Sequence, residues 1–189
     1  MSKTEIKSFL SVGTPQLELL PPTGVDLRIV LRQSLTHLPQ SEPIPDGFVS
    51  HFINNVWDLG PVLPSLREFF GWVKLIKMCL KLSTKRRKLY LIIRSADKVL
   101  CSFGWVNIGI SAEYPVGASD VVVGPIWTSS QSRNLGLARH GLQLALAEMF
   151  RQGHRIFFID TYASNQPCLA VVKKVGFVPV AAHWRLPRG

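Results

Sequence analysis

Between Asp120 and Gln152 the sequence passes through a strand, a short polar loop and a helix with almost no slack: DVVVGPIWT, SSQS, then RNLGLARHGLQLALAEMFRQ. Val121 to Trp127 is apolar enough to be a buried strand, yet it contains Gly124-Pro125. A proline has no amide hydrogen for a sheet ladder, so the strand must lie at an edge or carry a bulge there. The helix predicted over Leu135 to Gln152 places Ala138, Leu142, Ala145, Leu146 and Met149 on one face. At its start Arg133, Gly136 and Ala138 spell R-x-x-G-x-A. Small residues there let a backbone approach a ligand closely. The unpaired N–H groups of a first helical turn point outward, and the helix dipole adds partial positive charge, so a pyrophosphate is well accommodated. Arg133 and Arg139 would add to that field. The same small residues also suit a tightly packed strand-to-helix turn that binds nothing.

The rest of the chain supplies strands and helices around this unit. Val25 to Gln33 is rich enough in Val, Ile and Leu to be a strand. Asp46 offers an N-cap for a helix over Gly47 to Asp58. Ser65 with Glu68 three residues on reads as a capping box for a longer helix, Leu66 to Leu82. Lys88 to Arg94 and Val99 to Ile108 form a hairpin around Ser95-Ala96-Asp97-Lys98. After the Leu135 helix come a strand over Arg155 to Tyr162, a short helix over Gln166 to Val175 ended by Gly176, and a last strand over Phe177 to Leu186. The predicted order is β-α-α-β-β-β-α-β-α-β.

Length and composition set the outer limits. At 189 residues, with 47% hydrophobic and 18% charged residues, the chain is expected to fold as a single globular domain, residues 1–24 being an irregular N-terminal segment. Its apolar stretches fall well short of the roughly 20 residues that span a bilayer, and the N-terminus lacks a signal-peptide pattern. Cys79, Cys101 and Cys168 form no CxxC pair. Reduced buried cysteines in a cytoplasmic protein are the expectation, with no metal site. The net charge of +10 favours an anionic partner.

The R-x-x-G-x-A turn after a bulged strand resembles the acetyl-CoA pyrophosphate loop of the GNAT superfamily of N-acetyltransferases, whose usual form is Q/R-x-x-G-x-G/A. A second match lies downstream in NQPCLAVVKKVGF, where Asn165, Cys168 and Gly176-Phe177 fall on the family's N-x-x-A-x-x-x-Y-x-x-x-G-F segment. The resemblance covers Val25 to Leu186. It implies an α/β (α+β) fold: a mixed, mostly antiparallel sheet flanked by helices, with a splayed central strand pair. By position, backbone at Ile126, Trp127 and Thr128 would pair with the pantetheine arm, with Gly124-Pro125 causing the splay. Amides of Arg133, Asn134, Leu135, Gly136, Leu137 and Ala138 would hold the pyrophosphate, with Arg139 beside them. Asn165 would bond the cofactor or order the site; it also reads as the N-cap of its own helix. The implied reaction is acetyl transfer from acetyl-CoA to an amine by direct attack in a ternary complex, the thioester carbonyl being polarised by backbone N–H.

Two departures bear on chemistry. The family's thiolate-protonating tyrosine would fall at position 172, where this chain has Val172. Tyr162 is a substitute acid, or a core aromatic with a wet hydroxyl. Asp120 is placed where some family members keep a basic carboxylate, although its short side chain suggests a bridging water; it also reads as a solvated strand-start residue. Glu113, Asp160 and His183 are further candidates for the base. Only one strand fits after Gly176, where the family usually has two. A non-catalytic acyl-CoA sensor or scaffold with the same fold is the alternative to an enzyme.

From Phe69 to Lys88 the lysines Lys74, Lys77, Lys81, Lys85 and Lys88 recur at helical spacing beside Trp72, Val73, Ile76 and Leu80. This stretch reads as a core-packed helix with a lysine face in water, as a basic amphipathic helix on an anionic membrane, or as a flank of the acceptor site. No nucleic-acid motif accompanies it, so nucleic acid is not an expected partner. The expected partner is a small-molecule amine acceptor, with an anionic one favoured by charge; peripheral membrane contact through residues 69–88 and a homodimer remain open.

Overall fold

The computed structural model describes residues 27–40 and 42–184. The irregular segment expected over residues 1–24, the first residues of the strand expected from Val25, and the end of the last strand at Leu186 lie outside the described residues. The chain divides into two compact units, one of residues 34–157 and one combining residues up to Gln33 with those from Phe158 onward.

The larger unit is built on β2 (Phe48–Ile53), β3 (Arg87–Arg94), β4 (Leu100–Ile108) and β5 (Val121–Thr128), antiparallel throughout in the order β2-β3-β4-β5. Two helices accompany them, α1 (Leu63–Leu82) and α2 (Leu137–Arg151). Alternation along β3 sorts the side chains. Leu89, Leu91 and Ile93 join Leu66, Leu75, Met78 and Leu82 of α1 in one core, and burying each such side chain contributes about 1.5–3 kcal/mol. Tyr90 points the other way, fully buried against Gly104 of β4 and Gly141 of α2. On α2, Leu142, Ala145, Leu146 and Met149 are all buried as the periodicity predicts, and Ala138 is half-buried.

The smaller unit holds most of β1 (Leu27–Ser34) and β6 (Ile156–Tyr162), with α3 (Gln166–Val175) and β7 (Val178–Trp184). β1 lies between β6 and β7 and runs antiparallel to β7 from Leu27↔Trp184 to Arg32↔Val178. β1 and β7, far apart in the chain, are thus paired strands. Gln33 of β1 donates through Nε2 to the Val175 carbonyl at 3.0 Å, closing the end of α3. Gly176 follows in the left-handed region at φ 103°, where a Cβ would stand 2.9 Å from that amide nitrogen.

Three expectations are overturned. No helix runs over Gly47 to Asp58: Phe48–Ile53 is β2, because its backbone groups pair along β3 from Phe48↔Arg94 to Ile53↔Leu89. The cap is Asn55 rather than Asp46, forming a capping box with Asp58 on a 3-10 turn over Val56–Val62. Ser65 caps nothing, since α1 already starts at Leu63 with a proline in its first turn, and Ser65 is buried within it. The basic run is also not one helix. α1 breaks at Gly71 (φ 70°, ψ 168°) and ends at Leu82, Lys85 follows the helix, and Lys88 is buried on β3 with Nζ donating to Asn54 Oδ1 at 3.1 Å. Burial holds the Lys88 ammonium below its usual range, partly offset by Asp58.

Among the described residues no helix is long and apolar enough to cross a membrane. Cys79, Cys101 and Cys168 are all free thiols.

Candidate functional site

β5 reaches the loop by way of a bulge. The β4–β5 register runs Ser102↔Thr128, Phe103↔Trp127 and Gly104↔Ile126, then shifts to Val106↔Val123. Gly124-Pro125, joined by a cis peptide bond, occupies the extra length, so the proline is accommodated by a bulge as its missing donor requires. Asn107 Nδ2 donates to the carbonyls of Val122 at 3.3 Å and Gly124 at 3.1 Å, satisfying the acceptors that the irregular ladder leaves. Beyond the bulge, Ser102 Oγ donates to Trp127 O at 2.8 Å and lies 3.0 Å from Thr128 Oγ1. The segment Ile126–Thr128 is therefore held firmly from the β4 side.

The chain then turns through a short 3-10 segment, Ser130–Ser132, and enters the R-x-x-G-x-A loop. Arg133 is extended, Asn134 is left-handed at φ 64°, and Gly136, the N-cap of α2, is left-handed at φ 76°. No side chain caps α2, so the first-turn amides behind Gly136 keep the partial positive charge of the helix start unmasked by a protein acceptor. Residues 133–136 are exposed, and a Cβ built on Gly136 meets nothing within 4 Å. The glycine is demanded by backbone conformation, and the space beside it is open to an incoming group. Arg139 is engaged differently: it forms an ion pair with Glu42, whose carbonyl also lies 3.0 Å from His140 Nδ1. The loop's side-chain charge is thus left to Arg133.

An aromatic cluster covers this strand. Trp127 stacks on Phe103 at 5.5 Å between centroids and meets Phe69 of α1 at 4.7 Å, while Phe70 packs on Phe103 at 5.3 Å. Neither this cluster nor the Glu42–Arg139 pair is readable in the sequence, since each joins residues far apart in the chain with no local periodicity between them.

Asp120 closes a turn. Its Oδ2 accepts from Gly117 N at 2.7 Å, and its carbonyl accepts from Gly109 N at 2.7 Å. Glu113 lies in the loop before it, where Ser111 Oγ accepts from Glu113 N at 3.3 Å.

The smaller unit carries the second motif. Asn165 caps α3, its Oδ1 accepting from Cys168 N at 3.3 Å, and its own N–H donates to Tyr162 O at 2.9 Å. Tyr162 is 42% exposed at the end of β6, with the Arg28 guanidinium 4.8 Å over its ring. Arg28 also forms an ion pair with Asp160. His183 is buried on β7. Cys168 is half-buried; burial pushes its thiol up, a bond with Thr161 pulls it partly back, and Asp160 adds to the rise. A thiol held protonated in this way is a poor nucleophile. Val172, at the position of the family's tyrosine, is fully buried. Among the described residues no cluster of three or more His, Cys, Asp or Glu is arranged to hold a metal ion.

The sequence matches the family described as "Acetyltransferase (GNAT) family" over residues 67–177. Solved structures similar to the chain include a GCN5-related N-acetyltransferase from Sphaerobacter thermophilus, with a TM-score of 0.64 at 15% identity over 85% of this chain and 50% of that one. A tandem GNAT protein from the clavulanic acid biosynthesis pathway gives 0.61 at 16% identity, over 88% of this chain and 56% of that one. AAC(6')-Iy in complex with a bisubstrate analog, CoA-S-monomethyl-acetylneamine, gives 0.56 at 16% identity, over 75% of this chain and 96% of that one. At these identities the likeness is one of fold. The chain spans about half the length of the first two structures. No curated protein matches the sequence significantly.

Proposed function

Because this chain belongs to the acetyltransferase (GNAT) family, we propose that it transfers an acetyl group from acetyl-CoA to the nitrogen of a small-molecule amine. One observation carries this reading: α2 begins without a side-chain cap behind a left-handed Gly136 whose Cβ direction is open, at the position of the family's pyrophosphate loop. Acetyl-CoA supplies the activated acyl group as a thioester. The amides of residues 133–138 bind the pyrophosphate, with Arg133 adding charge. Backbone at Ile126, Trp127 and Thr128, braced by Ser102, aligns the pantetheine arm and presents N–H to the thioester carbonyl. The splay of the strand after the Gly124-Pro125 bulge belongs to the same proposal.

Direct attack by the amine is favoured over an acyl-cysteine route, because burial keeps the Cys168 thiol protonated. Asp120 takes the amine proton through a bridging water, since one of its oxygens is already committed to Gly117. With Val172 at the position of the family's tyrosine, the departing thiolate takes its proton from water. Fully buried Val172 supports a second reading, an acyl-CoA sensor without catalysis. Release of free thiol from acetyl-CoA, measured with a panel of amines, separates the two. Amine-dependent thiol release is expected. Binding of acetyl-CoA with no release above the amine-free rate for any amine would favour the sensor.

A further inference from the structure

α1 has two apolar faces where a surface helix ordinarily has one. Beyond the break at Gly71, Leu75, Met78 and Leu82 are buried in the core. Trp72, Val73, Ile76 and Leu80 are 60%, 68%, 58% and 67% exposed. At 3.6 residues per turn these four project within about 100° of one another, opposite the core residues. Lys74, Lys77 and Lys81 project along one flank of that seam, all exposed. From Phe69 to Ala96 the sequence has eight basic residues and no acidic one. At its C-terminal end the seam opens on a cleft of about 320 Å³ lined by Leu80, Lys81, Thr84, Arg86, Arg87 and Ile110. The Arg67 guanidinium lies 5.5 Å over the Trp72 ring and the Lys81 ammonium 5.4 Å over Trp105, while Val73, Ile76 and Leu80 stay exposed among the described residues.

We propose that the outward face of α1 docks on a bilayer carrying anionic lipid headgroups. The seam and its flank have to be satisfied together, and this decides the occupant. A nucleic acid would take the cations but has no use for a row of Trp, Val, Ile and Leu. A second copy of the chain packed antiparallel would bury the seam while setting two cationic flanks against each other, and one packed parallel would leave both flanks without an anionic partner. An anionic bilayer accepts both. The apolar side chains enter the boundary between headgroups and acyl chains, to a depth of about 5–10 Å. The lysine stems lie along that boundary with their ammonium groups among the headgroups. Trp72 suits the interfacial depth at which its ring is apolar and its N–H is wet. This inference does not rest on acyl transfer, since none of these residues belongs to the acetyl-CoA cradle.

Co-sedimentation of the full chain with lipid vesicles tests it. Vesicles of equal parts phosphatidylglycerol and phosphatidylcholine are expected to bind roughly tenfold more strongly than phosphatidylcholine alone. That preference should fade as salt rises toward about 1 M, where the screening length is about 3 Å. The double variant Ile76→Glu with Leu80→Glu should lose binding by roughly tenfold or more. Both side chains are already in water, so its circular dichroism and melting temperature should match the wild type. The variant Lys74→Glu with Lys77→Glu should lose the preference for anionic vesicles. The proposal is overturned if the wild type ignores anionic vesicles at low salt, or if the Ile76→Glu, Leu80→Glu variant still binds them. It is equally overturned if light scattering shows a wild-type dimer that this variant dissociates while neither protein binds vesicles, for then a second copy covers the seam.

Discussion

α1 and α2 each carry a glycine inside the helix, Gly71 and Gly141, and the two meet opposite demands. At Gly71 the backbone leaves the helix altogether (φ 70°, ψ 168°), and a Cβ there would meet nothing within 4 Å. At Gly141 the helix runs on unbroken, but a Cβ would stand 2.2 Å from Tyr90 Cε2. The first glycine is required by conformation, the second by room. α2 can therefore lie close on the sheet over Tyr90, while α1 breaks and leaves a seam of apolar residues beyond the break. A helical glycine costs about 1 kcal/mol relative to alanine, so Gly141 must be offset by the close approach it permits; Gly71, outside helical geometry, carries no such cost.

Substitutions at the two positions separate these demands. The largest effect is expected for Gly141→Val, which forces a branched side chain into the Tyr90 ring and should cost about 3 kcal/mol in a denaturant titration. Adding Tyr90→Leu should recover part of that loss, whereas additivity of the two costs would show that Tyr90 is not what excludes the side chain. Gly71→Ala is expected to cost less, about 1–2 kcal/mol, because only backbone strain opposes it. An increase in stability at this position would mean that α1 straightens readily and that the break is not built in.

The smallest effect extends the comparison to β2, where Ser50 lies 3.3 Å from His140 of α2 and the next residue, His51, pairs with Leu91 on the opposite face. Burial, and then the nearby Lys98 charge, hold the His51 imidazole below its ordinary 6.5. The unfolded chain binds that proton more readily, so stability is fully present above pH 6.5 and falls as pH drops below it. His51→Gln should flatten that acid-side loss in melts recorded across this range. An unchanged slope would place the acid sensitivity elsewhere.

The stretch from β5 to α3 was largely legible in the sequence because each signal there is local. Valine and isoleucine marked β5, Gly136 and the apolar face marked α2, and Asn165 and Gly176 bracketed α3, which runs over Gln166–Val175 as expected. Pro125 announced a bulge for want of an amide hydrogen, and the register shift opposite Trp105 shows it. β2 is not legible because FVSHFI is too short for period to distinguish strand from helix, and Asp46 has the residue type of a cap. Pairing with β3, about forty residues later, decided the matter. The position of β1 beside β7 was invisible for the same reason, since strand neighbours are long-range facts. In the candidate site, the loop could be read from its motif. The engagement of Arg139 by Glu42 and of Asp120 by Gly117 could not, because hydrogen-bond partners leave no spacing in the sequence.

The most direct test of the proposed cradle is calorimetric titration of acetyl-CoA into the wild-type chain and into Gly136→Val. The wild type should bind, and the variant, whose β-branched side chain is strained at φ 76° and points into the open space beside the α2 start, should bind at least roughly tenfold more weakly. Its far-ultraviolet spectrum should be unchanged. No heat from the wild type at millimolar acetyl-CoA, or equal affinity in the folded variant, would contradict a cofactor site at the start of α2.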